Sequence, residues 1–348
     1  MDISEFDYAL PQELIAQRPA VPRDASRLLV VRREAASLEH KSFRDIRGLL
    51  DPGDVLVLND TRVMPWRLVG RKSDTGGRLE LLLLEERGDG LWEALVRPGR
   101  AKPGLSVVFG SGTLTAELRE RFAGDGGKWL VSLRAQGDVR DAVASLGTVP
   151  LPPYIKEPVR HPEEYQTVYA SQEGSVAAPT AGLHFTPELL LEISRRGVGV
   201  TRITLHVGPG TFRPVRCQRV EEHRMDEERY VVGQDTADSI HKARSRGKRV
   251  VAVGTSATRV LETVASKTGE ISPGHGRTGA FLYPGHRFKV VDALITNFHL
   301  PRSTPLILAC AFGGRELVLQ AYREAIGLGY RFYSFGDAML ICVDRRGF

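Results

Sequence analysis

The sequence predicts an α/β protein: a mixed α+β main domain carrying an inserted all-β antiparallel sandwich or barrel. Three observations lead there. After Tyr165, apolar strand-like runs alternate with helix-like ones, the pattern of a largely parallel or mixed sheet. Between Val63 and Thr148 that pattern gives way to short strand-like runs parted by glycine-rich turns. Several strand-like runs of the main pattern also end in glycines, hydroxyls and histidines. The expected division is 1–62 plus 149–348 for the main domain and 63–148 for the insert.

In order along the chain, Phe6 to Gln17 reads as a short strand and helix, with Pro11 near the helix start. Asp51-Pro-Gly-Asp54 is a turn. Val55–Leu58 is a continuous apolar run, as expected of a strand buried on both faces. The insert's strands are expected at Arg67–Arg71, Arg78–Glu85, Trp92–Val96, Ser106–Phe109, Leu114–Arg121 and Lys128–Arg134, with Pro150–Tyr154 as the exit linker. Thr186 should cap a helix over Pro187–Arg196 that stops at Gly197. Strands follow at Gly199–Val207, Arg249–Val253 and Val290–Thr296, a helix runs from Gly254 to about Ser266 and another over Arg315–Ile326, and a strand pair over Tyr330–Val343 closes the chain.

The 348 residues, 42% hydrophobic, are ample for a core. No apolar run approaches the roughly 20 residues that span a bilayer, and the acidic start Met1–Tyr8 lacks a signal-peptide layout. A cytoplasmic location is expected. Cys217, Cys310 and Cys342 are far apart, which speaks against a disulfide framework or a thiolate-held cluster. The dispersed histidines contain no HExxH, so no metal is expected. The net charge of +6 suits a polyanionic partner, although charged runs are more often solvated surface.

In open α/β sheets ligands bind beyond the carboxyl ends of strands. Applied here, that rule gathers Asn59-Asp60-Thr61-Arg62, His206 to Thr211, Gly254-Thr255-Ser256 and Asn297-Phe298-His299 at one edge. His184, two residues before the Thr186 cap, would sit where helix N–H groups favour an anion. Thr180 and Gly182 precede it. Gly208 and Gly210 allow close backbone approach to a ligand, and Arg213 and Arg216 would meet a phosphate backbone entering the site. Thr255 and Ser256 give either an anion-binding helix N-terminus or an ordinary capped one. No Walker motif is present.

Asp54–Arg67, Gly77–Glu85, Ala94–Gly99, Leu151–Ile155, Tyr165–Ala170, Ala177–Thr186, Thr204–Arg216, Gly254–Arg259, Thr296–Thr304 and Tyr330–Leu340 span nearly the whole chain in order. In these stretches the chain resembles the S-adenosylmethionine:tRNA ribosyltransferase-isomerase family of the queuosine pathway. The resemblance implies a mixed α/β domain with an all-β insert. It also implies transfer of the ribosyl part of S-adenosylmethionine to the 7-aminomethyl-7-deazaguanine base of tRNA. Isomerisation to an epoxy-cyclopentane gives epoxyqueuosine, with adenine and methionine released. S-adenosylmethionine is then a substrate and no cofactor is expected; the partners are that donor and tRNA, with no membrane, and the chain is expected to be a monomer.

Such chemistry needs a base for the acidic C5′ proton beside the sulfonium and an acid to help adenine leave. Histidine suits both near neutral pH. The expected catalytic set is His184, His206, Asp60 and His299. Expected substrate contacts are Asn59, Arg62, Thr180, Gly182, Gly208, Gly210, Thr211, Arg213, Thr255, Ser256 and Asn297. An S-adenosylmethionine-dependent RNA methyltransferase and a non-catalytic tRNA-binding protein are the rival readings. The first would carry a glycine-rich nucleotide loop after its first strand, and none is found.

Overall fold

The computed structural model describes all residues except 100, 123–126, 213, 267 and 344–348, and leaves out the side chains of Thr211 and Phe212. The chain forms two compact units. One comprises Met1–Thr61, Pro152–Gln172 and Ala178–Phe348; the other comprises Arg62–Leu151 and Glu173–Ala177.

The main unit begins with two single helical turns, Ile3–Phe6 and Gln12–Leu14, where a strand and helix were expected. Its first strands are β1 (Arg27–Arg32), β2 (Ser37–Ser42) and β3 (Val55–Asn59). β4 (Thr61–Val63) leads into the second unit. There, β5 (Arg67–Lys72), β6 (Arg78–Gly88), β7 (Leu91–Arg97), β8 (Ser106–Phe109), β9 (Leu114–Arg121) and β10 (Lys128–Ala135) close into an antiparallel barrel, followed by α1 (Val139–Leu146). Alternate residues such as Leu68, Leu79, Leu81, Leu83, Leu118 and Val131 fill its interior. Of the two architectures left open by the sequence, closure selects the barrel, which leaves no exposed sheet edge. β11 (Gln172–Ser175) pairs with β4 as a separate ribbon.

The main unit resumes with α2 (Pro187–Arg195), β12 (Gly199–Leu205), β13 (Glu228–Val232), α3 (Gln234–Ser245), β14 (Val250–Val253), α4 (Gly254–Val264), β15 (Gly274–Thr278), β16 (Ala293–Asn297), α5 (Thr304–Gly313), α6 (Arg315–Gly327) and β17 (Ala338–Cys342). The sheet order is β15-β13-β12-β3-β14-β16-β17-β1-β2. β12, β3, β14 and β16 are mutually parallel neighbours. The four polar strand ends singled out in the sequence therefore share one edge.

The local physics follows the residues. β3, β14, β16 and β17 are wholly buried; β14 and β17 are apolar throughout, and β3 and β16 are apolar up to their polar carboxyl ends. The Thr186 hydroxyl accepts from the Leu189 N–H at 3.1 Å, and Pro187 occupies the first helical position, which fixes the start of α2. β14 passes into α4 with no intervening loop because Gly254 takes φ +88°. The expected closing strand pair is a single strand, β17, and β16 begins at Ala293, not Val290.

Candidate active site

A cleft of about 700 Å³, counting space open to solvent, lies at the carboxyl ends of β14 and β16. One wall is Ala178–Ala181, ahead of α2. The first turn of α4 supplies Gly254, Thr255 and Ser256, with Arg259 behind them. The β16 end supplies Thr296 to Leu300, and Tyr154, Tyr333 and Ser334 complete the lining with Val207, Ser303 and Pro305. Its concave form and mixed polar and apolar walls suit a small-molecule ligand.

His299 lines this cleft and is half-buried. Its Nε2 meets the Thr296 hydroxyl at 2.6 Å, and Nδ1 has no hydrogen-bond partner among the described residues. Its main chain is held apart from the ring: the N–H donates to the Tyr322 hydroxyl at 2.8 Å, and the carbonyl accepts from the Tyr8 hydroxyl. Burial pushes the imidazole down to about 3, so it is neutral at physiological pH.

His184 lies elsewhere. It is buried beneath the cleft wall, stacked on Phe43 at 4.9 Å. The Asn297 amide donates to its Nε2 at 3.0 Å, which places the ring proton on Nδ1, donated to the Ser26 hydroxyl at 2.7 Å. The Thr180 hydroxyl in turn donates to the Asn297 carbonyl oxygen at 2.9 Å. Thus Thr180 and Asn297 face the cleft, and His184 supports them from behind with both ring nitrogens engaged. The anion-binding position expected for it before α2 is taken by the Thr186 cap.

Burial lowers the His184 imidazole to about 4. The unfolded chain therefore takes up a proton from pH 6.5 downward while the folded one does not, so stability falls as pH drops across the window from 6.5 to about 4. His184→Gln should remove about 3 kcal/mol of the acid-induced loss measured by urea unfolding at pH 4 and at pH 7. An unchanged pH slope would show that the ring titrates normally.

The polar side chains at the ends of β3 and β12 bind one another, and of these two strand ends only Val207 joins the cleft lining among the described residues. Asn59 is fully buried; its amide donates to the Leu205 carbonyl at 3.1 Å, and its carbonyl oxygen accepts from the Leu205 and Thr61 N–H groups. Asp60 accepts from the hydroxyls of Thr204 at 2.7 Å and Ser171 at 3.1 Å. The His206 Nδ1 meets the Thr61 hydroxyl at 3.0 Å. The Gly208 N–H donates to Glu228 at 2.7 Å, and Gly210 abuts Asp226. Gly182 is buried against Tyr169, whose hydroxyl would lie 1.9 Å from an added Cβ, so its smallness serves packing. Arg62 belongs to the second unit. Arg213 and the side chain of Thr211 lie outside the described residues.

Of the expected residues, the cleft gathers Thr180, Thr255, Ser256, Asn297 and His299. Sequence reasoning missed Arg259, Tyr154, Tyr333 and Ser334. Arg259 is buried and paired with Glu228, and its Nε–H donates to the Ala280 carbonyl at 2.9 Å. Its position in Gly254–Arg259, already set apart as a motif, was the available signal. The Tyr154 and Ser334 hydroxyls join at 2.7 Å, a contact between segments 180 residues apart that no local pattern announces.

A cleft of mixed polarity over the carboxyl edge of parallel strands, holding a neutral histidine, is the arrangement in which α/β enzymes hold small ligands. The chain belongs to the family described as "Queuosine biosynthesis protein", which it matches over residues 3–341. It is 53% identical over 342 residues to the S-adenosylmethionine:tRNA ribosyltransferase-isomerase of Pelotomaculum thermopropionicum, and 54% over the same length to that of Moorella thermoacetica. Each match takes in 98% of this chain and 100% of the relative. The crystal structure of S-adenosylmethionine tRNA ribosyltransferase from Thermotoga maritima is similar with a TM-score of 0.57 and 41% identity, over 97% of this chain and 100% of that one.

Proposed function

We propose that this chain is an S-adenosylmethionine:tRNA ribosyltransferase-isomerase. It moves the ribosyl carbons of S-adenosylmethionine onto the aminomethyl nitrogen of 7-aminomethyl-7-deazaguanine in tRNA and rearranges them to the epoxy-cyclopentane of epoxyqueuosine. The observation that carries this reading is the full-length likeness to relatives of that name, joined to a cleft lined from Ala178–Ala181, Gly254–Arg259 and Thr296–Ser303. No bound cofactor is required, because S-adenosylmethionine is consumed.

In the balanced reaction the amine loses one hydrogen, adenine departs carrying a proton, methionine departs as a neutral thioether, and one proton is released. The sulfonium acidifies the hydrogens on C5′, and His299 is the cleft group that takes one. Its neutral ring is free to accept a proton, although burial lowers its strength as a base. His184 and Asn297 are positioning residues that aim the Thr180 hydroxyl. Asn59, Asp60 and His206 hold the neighbouring strand ends in register. The abundance of tRNA and donor in the cytoplasm supports that location, and the reading needs only one copy of the chain.

Chromatography of the small-molecule products tests this. With tRNA bearing the aminomethyl base, adenine and methionine should appear in equal amounts. S-adenosylhomocysteine in their place would make the protein a methyltransferase.

A further inference from the structure

We infer that the first turn of α4, together with the Ser256 hydroxyl, holds the methionyl carboxylate of S-adenosylmethionine; this rests on the donor proposed above. α4 opens directly onto the cleft, and its N-cap, Val253, has no side chain able to accept from the N–H groups of the first turn. Those groups are left as donors, with the positive end of the helix dipole behind them. The second observation is independent. Ser256 is only 8% exposed, it lines the cleft, and its hydroxyl has no hydrogen-bond partner among the described residues. Two residues on, Thr258 shows the usual remedy, donating to the Gly254 carbonyl at 3.1 Å. A buried hydroxyl without a partner destabilises a fold, so its retention in a cleft points to a ligand that satisfies it.

The available groups define that ligand. N–H groups and a hydroxyl in a dipole field call for an anionic acceptor. Arg259 also lines the cleft, but Glu228 already neutralises it. The site thus offers hydrogen bonds and a dipole without a free full positive charge. That suits a carboxylate carrying its own ammonium group beside it, the amino-acid end of the donor. It does not suit a tRNA phosphodiester, which arrives without a counter-charge and cannot thread its bulky chain to a side chain this buried.

Calorimetry on the full chain, with S-adenosylmethionine and its decarboxylated analogue as probes, tests this. The unaltered protein should bind the analogue about tenfold more weakly. Ser256→Ala should weaken S-adenosylmethionine by a similar factor and leave the analogue's affinity where it was. The same substitution removes an unsatisfied hydroxyl, so the melting temperature without ligand should hold or rise, whereas a structural serine would lower it. Equal binding of the two probes by the unaltered protein, or equal weakening of both by Ser256→Ala, overturns the inference and leaves the functional reading standing. Failure to bind S-adenosylmethionine at all overturns both.

Discussion

His299→Ala is expected to slow adenine release by roughly 10²- to 10⁴-fold, the range general-base groups supply, while the KM for S-adenosylmethionine changes little. The substitution isolates the ring. Among the described residues only Thr296 bonds it, at 2.6 Å, whereas Tyr322 and Tyr8 hold the main chain at the same residue and should keep the loop in place. His299→Gln can restore the Thr296 contact but cannot carry a proton, so it should be as slow as the alanine variant. A structural histidine would instead be rescued by glutamine. The imidazole lies at about 3 because it is buried, so its active neutral form persists far into the acid range. The kcat/KM profile should therefore show no loss near pH 6.5 that vanishes in His299→Gln. A descending limb there that depends on this residue would contradict the assignment.

The largest expected effect on stability is at Arg259. The Arg259 and Glu228 side chains are equally buried, each 6% exposed. Glu228 also accepts the Gly208 N–H, so the pair ties α4 to the turn that follows β12. Removing one partner strands the other charge away from water. Arg259→Ala should cost about 3–5 kcal/mol in urea unfolding, and Glu228→Ala a similar amount. The double variant should cost clearly less than the sum, since neither charge is then left alone. Arg259→Lys should recover little, because a single ammonium cannot serve Glu228 and the Ala280 carbonyl in the directions a planar guanidinium does. A single-variant cost below about 1 kcal/mol would show that water reaches the pair, as it does at surface ion pairs.

Much of the fold was legible because its central strands are buried on both faces. Val55–Leu58 and Arg249–Val253 announce themselves as apolar runs, and the glycine-parted insert reads as antiparallel β. Other elements lacked such a signal. α5 is apolar throughout, Thr-Pro-Leu-Ile-Leu-Ala-Cys-Ala-Phe-Gly, and its burial on every side erases the helical period. β2, Ser-Leu-Glu-His-Lys-Ser, is a half-exposed edge strand whose composition resembles a loop. β13 begins at Glu228, the last residue of a highly charged stretch with no apolar alternation, and it is the distant Arg259 that neutralises this glutamate.

The strand-end rule points to the edge along which the cleft lies, and it does not divide that edge. Asn59, Asp60 and His206 have the same polar character as Thr255, Asn297 and His299. The first group spends its hydrogen bonds between β3 and β12, and the second faces the cleft. That distinction depends on long-range partners. His184 makes the same point: beside a helix start it reads as a ligand to an anion, but Ser26, distant in sequence, takes one of its nitrogens.

Mass spectrometry of tRNA carrying the 7-aminomethyl-7-deazaguanine base, after incubation with the protein and S-adenosylmethionine, tests the proposed reaction most directly. A gain of the five-carbon ribosyl-derived unit at that base is expected, lost when His299 is replaced by alanine. A methyl-sized gain, or unmodified tRNA despite intact binding, would contradict it.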